Sequence, residues 1–174
     1  MNIGDGFLHP DRLFPADPAT RTIARDLYET VRTLPIVSPH GHTEPSWFAE
    51  DKPFEDASSL LIIPDHYLFR MLNSVGVNLD DLGVPRLNGG QVKKGRDIWR
   101  AFAAHYHLFH GTPSRLWVDH AMSAVLGCTE PLTAENADAL YDHINVQLAR
   151  PEFRPRALHQ HFGIETIATT EGAL

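Results

Sequence analysis

Apolar positions along the chain recur mostly at helical spacing, and two short β-branched runs interrupt them. Residues 1–16 read as an extended entry segment with turn residues at Gly4, Gly6, Pro10 and Pro15. Asp17-Pro18 has the chemistry of a helix start, a capping carboxylate followed by a ring that presets the first turn. Ile23, Leu27, Tyr28, Val31 and Leu34 then predict a helix reaching Leu34, where Pro35 stops it. Ile36 and Val37 read as a short buried strand leading into Ser38-Pro39-His40-Gly41-His42. Residues 43–52 are polar and turn-rich, with Trp47 and Phe48 expected at the mouth of a site. Asp65 is the expected N-cap of the next helix, which carries Leu68, Met71, Leu72 and Val75 on one face and stops at Gly76.

A loop is expected over residues 78–95, then a helix over 97–109 with Ile98, Phe102, Tyr106 and Phe109 on one stripe. Thr112-Pro113 opens another helix, containing Leu116, Trp117, Ala121 and Ala124, with Gly127 as its end. Thr133 opens a further one through Ala137, Leu140, Tyr141, Ile144 and Leu148. A short helix over 156–162 ends at Gly163. The run Ile164-Glu165-Thr166-Ile167-Ala168-Thr169-Thr170 has the β-branched content of a second strand. A strand, a helical excursion and a second strand predict an α/β chain with a parallel βαβ unit. Two strands do not make a stable parallel sheet. Either residues beyond these complete the sheet or the two strands pair in an unusual way; the first is the expectation, the N-terminal part of a larger barrel with a mainly helical insertion between the strands. The expected divisions are 1–44 (first helix and strand 1), 45–150 (insertion) and 151–174 (return helix and strand 2). The end at Glu171-Gly172-Ala173-Leu174, just after a strand, fits an incomplete barrel.

Composition narrows the partners. The 174 residues are 43% hydrophobic and 21% charged, which suits a globular domain with a real core. Net charge is −7 with no basic patch, which argues against duplex nucleic acid. No 18-residue apolar run suits a membrane span, and the N-terminus lacks a signal-peptide pattern. The single cysteine, Cys128, excludes an internal disulfide and a multi-cysteine zinc site. A reducing, cytoplasmic location is expected.

Eleven histidines invite a search for ligands. Three His-x-His patterns occur: His40/His42, His105/His107 and His159/His161. In a strand, positions i and i+2 share a face, so two imidazoles converge on one point and form half of a divalent-metal site. On a helix, i and i+2 diverge by about 200°, from about 100° per residue. The second and third patterns therefore read as ordinary helix histidines. His107 and His110, three apart near a helix end, suit an interaction with the helix dipole. A second cluster is Asp65-His66-Tyr67-Leu68-Phe69-Arg70, where His66, Tyr67 and Arg70 edge the apolar face. Such donors suit a polyhydroxy acid. Taken alone, they also suit the solvated edge of a capped helix.

Together, Pro35-Ile36-Val37-Ser38-Pro39-His40-Gly41-His42 and Asp65-His66-Tyr67-Leu68-Phe69-Arg70-Met71-Leu72-Asn73-Ser74-Val75-Gly76-Val77 resemble the uronate (glucuronate) isomerase family, a divergent branch of the amidohydrolase superfamily. Ile167-Ala168-Thr169-Thr170 resembles the family's second barrel strand. The resemblance runs over nearly the whole chain and over the first third or so of a family member. It implies a distorted (β/α)8, TIM-like barrel. It also implies interconversion of D-glucuronate with D-fructuronate, and of D-galacturonate with D-tagaturonate. His40 and His42 match the family's first-strand metal ligands. His66 and Tyr67 match its active-site pair as catalytic and substrate-binding residues, and Arg70 matches in type as a further substrate contact. Trp117-Val118-Asp119-His120 departs from the family's tryptophan–x–histidine pattern. The implied cofactor is a divalent metal ion, zinc by expectation, although two imidazoles also suit manganese and iron. The implied partner is a small hexuronate, with no nucleic acid and no membrane, and a homo-oligomer is compatible. The family's late-strand aspartate has no counterpart in these residues, so the 174-residue chain alone is expected to be inactive. Two rival classes stay open: a metal-dependent amidohydrolase on the same barrel, and a non-catalytic helical module.

Overall fold

The computed structural model describes residues 6–84, 87 and 93–170. The expected loop over 78–95 lies partly outside these residues, and the expected features at 1–5 and 171–174 lie wholly outside them. In chain order the elements are α1 (Pro18–Val31), β1 (Ile36–Ser38), α2 (Pro45–Glu50), α3 (Ala57–Leu61), α4 (His66–Ser74), α5 (Gly95–His105), α6 (Pro113–His120), α7 (Ala137–Leu148), α8 (Pro155–His161) and β2 (Ile164–Ile167). The chain is thus α/β and mostly helical. It divides into two units: one holds 54–150 with the stretch up to residue 8, the other holds 9–53 with the stretch from residue 151 onward.

The first unit carries a dense helical core. The expected stripes on α4, α5 and α7 are buried, including Leu68, Leu72, Ile98, Phe102, Leu140, Ile144 and Leu148. Trp99 is fully buried, and its indole N–H donates to the Ala137 carbonyl at 2.8 Å. A short helix not anticipated from the sequence, α3, is set by a capping box: the Asp56 carboxylate takes the Ser59 N–H while Ser59 Oγ takes the Asp56 N–H. Asn145 on α7 accepts the Ala57 N–H at 2.9 Å, and Ser58 donates to the Gly95 carbonyl at 2.7 Å. These bonds satisfy polar groups that burial would otherwise strand.

Two helices end differently from expectation. The helix expected over 97–109 leaves α geometry after His105, whose Nδ1 lies 2.8 Å from the Ala101 carbonyl. A 3₁₀ turn follows over Tyr106–Phe109, and at three residues per turn it still buries both Tyr106 and Phe109. The helix expected to run to Gly127, α6, leaves α geometry after His120. Ser114 and Val118 are buried there, and Trp117 is 58% exposed. A wider π-type turn over Ala121–Val125 then buries Met122, Ser123 and Ala124. Tyr106 Oη donates to Asp119 at 2.7 Å, Arg115 Nε donates to the same carboxylate at 2.7 Å, and the Arg115 guanidinium lies 3.8 Å from the Tyr106 ring centre. Burial and the neighbouring carboxylate together hold the Tyr106 phenol well above its usual range.

The second unit is built differently. The Asp17 carboxylate caps α1 by accepting the Thr20 N–H at 2.8 Å. The helix ends at Val31 rather than Leu34, which sits in the following turn. Its apolar stripe is exposed, and so are Ile36 and Val37 of β1. The expected burial of that strand is thus not met, because a two-stranded sheet leaves its faces open. Among the described residues of this unit, only Phe153 and Pro155 are buried. Residues 43–52 are not all turn: α2 starts at Pro45 and stops at Asp51, which adopts a left-handed φ of 51°. Arg156, in the first turn of α8, donates to the Phe48 and Ala49 carbonyls at 2.7 and 3.0 Å, while its N–H reaches the Asp51 carboxylate at 3.0 Å. The open carbonyl end of α2 is therefore closed by a side chain more than 100 residues away in sequence. β1 and β2 pair in parallel, as expected, with Ile36 against Ile164, Val37 against Thr166 and Ser38 against Ile167. No helix of the described residues is long and apolar enough to cross a membrane.

Replacing Trp99 by Ala should lower unfolding stability by about 3–5 kcal/mol, the range for truncating a buried aromatic. Urea denaturation followed by circular dichroism measures it. Burial pushes the Cys128 thiol up to about 11, which leaves little thiolate near neutral pH. Iodoacetamide at pH 8 should therefore label Cys128 only as fast as the protein opens, and mass spectrometry after timed quenching would reveal any faster labelling.

Candidate active site

β1 ends at Ser38, so His40 and His42 stand just past the strand rather than within it. The pairing with the other strand nevertheless continues. The Ala168 N–H donates to the Ser38 carbonyl and the Thr170 N–H to the Gly41 carbonyl, both at 2.9 Å. Acceptors three residues apart thus meet donors two residues apart, so β1 carries an extra residue here, a bulge. Pro39, which has no N–H to give, falls inside it. Thr169 Oγ1 donates to the Thr43 carbonyl at 2.6 Å, beyond the histidines. The turn bearing His40 and His42 is thus held at Ser38, Gly41 and Thr43.

Gly41 suits this close approach. A β-carbon at that position would stand 3.2 Å from the Ala168 carbonyl oxygen. With the backbone so held, the His40 and His42 rings lie edge to face with centres 5.0 Å apart. The two rings are thus neighbours, brought together by the turn past β1 rather than by alternation in a regular strand. Thr170 Oγ1 lies 3.1 Å from His42 Nδ1 and 3.3 Å from the Gly41 carbonyl.

The chemistry of this donor pair fits two ligands of a divalent ion. Imidazole nitrogens suit zinc and its neighbours, and a structural or catalytic zinc takes three or four protein ligands. Among the described residues, no group of three or more His, Cys, Asp or Glu side chains comes together to hold an ion. The pair alone would supply two of the ligands such an ion needs.

The remaining candidate residues belong to the helical unit. Asp65 caps α4 by accepting the N–H groups of Tyr67 and Leu68 at 2.8 and 3.2 Å. That fixes the first turn, with Leu68 and Leu72 fully buried and His66, Tyr67 and Arg70 on the exposed edge. The His66 and Tyr67 rings lie 4.3 Å apart, and the Arg70 guanidinium sits 5.6 Å from the Tyr67 ring centre. The three form one cluster of an imidazole, a phenol and a guanidinium. The other histidines have ordinary partners: His159 packs on Phe48, His161 on Phe162, and His143 Nε2 lies 2.9 Å from the Leu126 carbonyl. His107 and His110 line an open groove with Arg115 and Glu135. Thr170, which touches His42, was not singled out from the sequence. Its β-branched position in a strand run marks structure, and nothing in the pattern marks a hydroxyl aimed at an imidazole.

Comparison with known proteins adds a second line. A family model described as glucuronate isomerase matches residues 17–174. The uronate isomerase of Rhizorhabdus wittichii is 61% identical over 167 residues, covering 96% of this chain and 35% of that protein. The crystal structure of glucuronate isomerase from Caulobacter crescentus superposes with a TM-score of 0.89 at 58% identity, covering 95% of this chain and 34% of that one. Uronate isomerase from Thermotoga maritima, at 24% identity and a TM-score of 0.80, shares the fold over 95% of this chain and 34% of its own. The chain thus spans about a third of the length of the relatives it matches.

The bulge is directly testable. A Gly41→Ala substitution should push the Ala168 strand away and raise hydrogen exchange at the Ala168 and Thr170 amides. Unchanged protection at both would show that the neighbours absorb the methyl group.

Proposed function

Because this chain belongs to the glucuronate isomerase family, we propose that it supplies the first metal ligands and part of the substrate pocket of a hexuronate isomerase. The proposed reaction interconverts D-glucuronate with D-fructuronate, and D-galacturonate with D-tagaturonate. The proposed scaffold is a distorted (β/α)8 barrel in which β1 and β2 are the first two strands and 45–150 is a helical insertion. The open face of α1 and the exposed Ile36 and Val37 support that scaffold, since further strands and helices would cover them.

The observation that carries the reading is the imidazole pair, His40 and His42, held 5.0 Å apart just past the C-terminal end of β1. Active sites of such barrels sit at that end of the strands. His40 and His42 would hold a divalent ion, zinc by expectation, with the remaining ligands from later strands. When bound, that ion would supply Lewis-acid polarisation or anchoring of substrate oxygens. Aldose–ketose isomerisation moves a proton between C2 and C1 through an enediolate, so it needs a positioned base and donors for the developing oxyanion. Tyr67 would donate its phenol O–H to a substrate hydroxyl or relay a proton from it. His66 offers a neighbouring imidazole for the same oxygen or the same proton. Arg70, exposed on the same edge, offers a cation to an acidic sugar.

In the full-length protein, His40→Ala and His42→Ala should each strip most of the bound divalent metal and cut turnover. Metal content by elemental analysis that matches the unsubstituted protein would overturn the ligand assignment. Tyr67→Phe should lower turnover, by roughly the 10²–10⁴-fold that one acid–base group contributes, and leave metal content alone. Assaying ketouronate formation beside a panel of amide substrates separates the isomerase from a metal-dependent amidohydrolase.

A further inference from the structure

We propose that Thr170 is a positioning residue for His42, holding its imidazole in the tautomer that presents Nε2 to a divalent cation. The inference rests on the reading of His42 as a metal ligand. It goes further in saying which nitrogen binds and what selects it.

The argument is a count of protons. A threonine hydroxyl has one hydrogen to donate and two lone pairs that accept. Thr170 Oγ1 has two polar neighbours, the Gly41 carbonyl at 3.3 Å and His42 Nδ1 at 3.1 Å. The carbonyl can only accept, so that contact uses the hydroxyl's single proton. With the proton given to the carbonyl, the contact with His42 runs the other way, Nδ1–H donating to Oγ1, and this is the assignment proposed. A neutral imidazole carrying its proton on Nδ1 has its lone pair on Nε2, the form a metal ligand needs.

The backbone keeps this arrangement in place. The Thr170 N–H donates to the same Gly41 carbonyl at 2.9 Å, so main chain and side chain of one residue grip one acceptor. Thr169 Oγ1 bonds the Thr43 carbonyl on the far side of His42. The hydroxyl is thus brought to His42 by strand pairing, and its orientation is fixed by the carbonyl of the residue preceding His42.

Two substitutions and one spectroscopic readout test this in the full-length protein. Thr170→Val keeps the shape and loses the hydroxyl; Thr170→Ser keeps the hydroxyl. With zinc titrated against a competing chelator, Thr170→Val should weaken zinc binding about 10-fold or more, as losses of such supporting partners do. Thr170→Ser should stay within about 3-fold, by the same measure. Equal weakening in both variants, or none in the valine variant, overturns the proposal. In metal-free unsubstituted protein, ¹⁵N correlation spectra of the His42 ring should show the proton on Nδ1. A majority proton on Nε2 overturns the proposal by itself and needs no folded variant. His42→Ala serves as the reference: if it leaves zinc affinity unchanged, the metal reading fails, and the ring tautomer still decides the role of Thr170.

Discussion

The parallel pairing of two short strands is the constraint on which the candidate metal site depends. β1 and β2 have three and four residues, and their register shifts once within the ladder and slips again beyond it. Neither strand is long enough to be stable alone. What the pairing accomplishes is local. It holds the turn after β1 at three carbonyls and so brings the His40 and His42 rings to 5.0 Å, centre to centre. The bulge at Pro39 matters because a regular ladder would place the next acceptor at His40 rather than at Gly41.

The two units solve different physical problems. The helical unit encloses its own apolar surface, with Trp99, Phe102, Tyr106 and Phe109 packed among α5, its 3₁₀ extension and α7. Its buried polar atoms find partners within the same unit. The strand-bearing unit leaves its amphipathic helix α1 and both β-branched residues of β1 open. The residues proposed for chemistry are divided the same way: the His40–His42 pair follows β1, and the His66–Tyr67–Arg70 cluster edges the capped helix α4.

Asp119 shows how a polar residue can be diverted from chemistry to structure. It lies where the family pattern leads one to look for a site residue. Here its carboxylate is engaged by the Tyr106 phenol and the Arg115 guanidinium, both partly or wholly buried. Such a cluster fixes the rotation of α6 and leaves little freedom for a ligand. Its cost in desolvation is offset by two hydrogen bonds to one carboxylate.

The sequence by itself determined the helices whose caps and stripes agree: Asp17 with Pro18, Asp65 with Leu68 and Leu72, and the α7 stripe from Ala137 to Leu148. Local chemistry suffices there, because a cap and an apolar face are both written within one or two turns. It also determined that the two β-branched runs pair in parallel and that His40 and His42 form the candidate pair. It did not determine α2, whose C-terminal end is closed by Arg156, nor the hydrogen bond by which Tyr106 engages Asp119 of α6. The bulge at Pro39 and the contact of Thr170 with His42 were equally invisible. These depend on which carbonyl a distant strand reaches, and pairing register is a property of two segments together. Only the tertiary structure brings those segments within hydrogen-bonding distance, and only there does a threonine in a strand become the partner of a histidine.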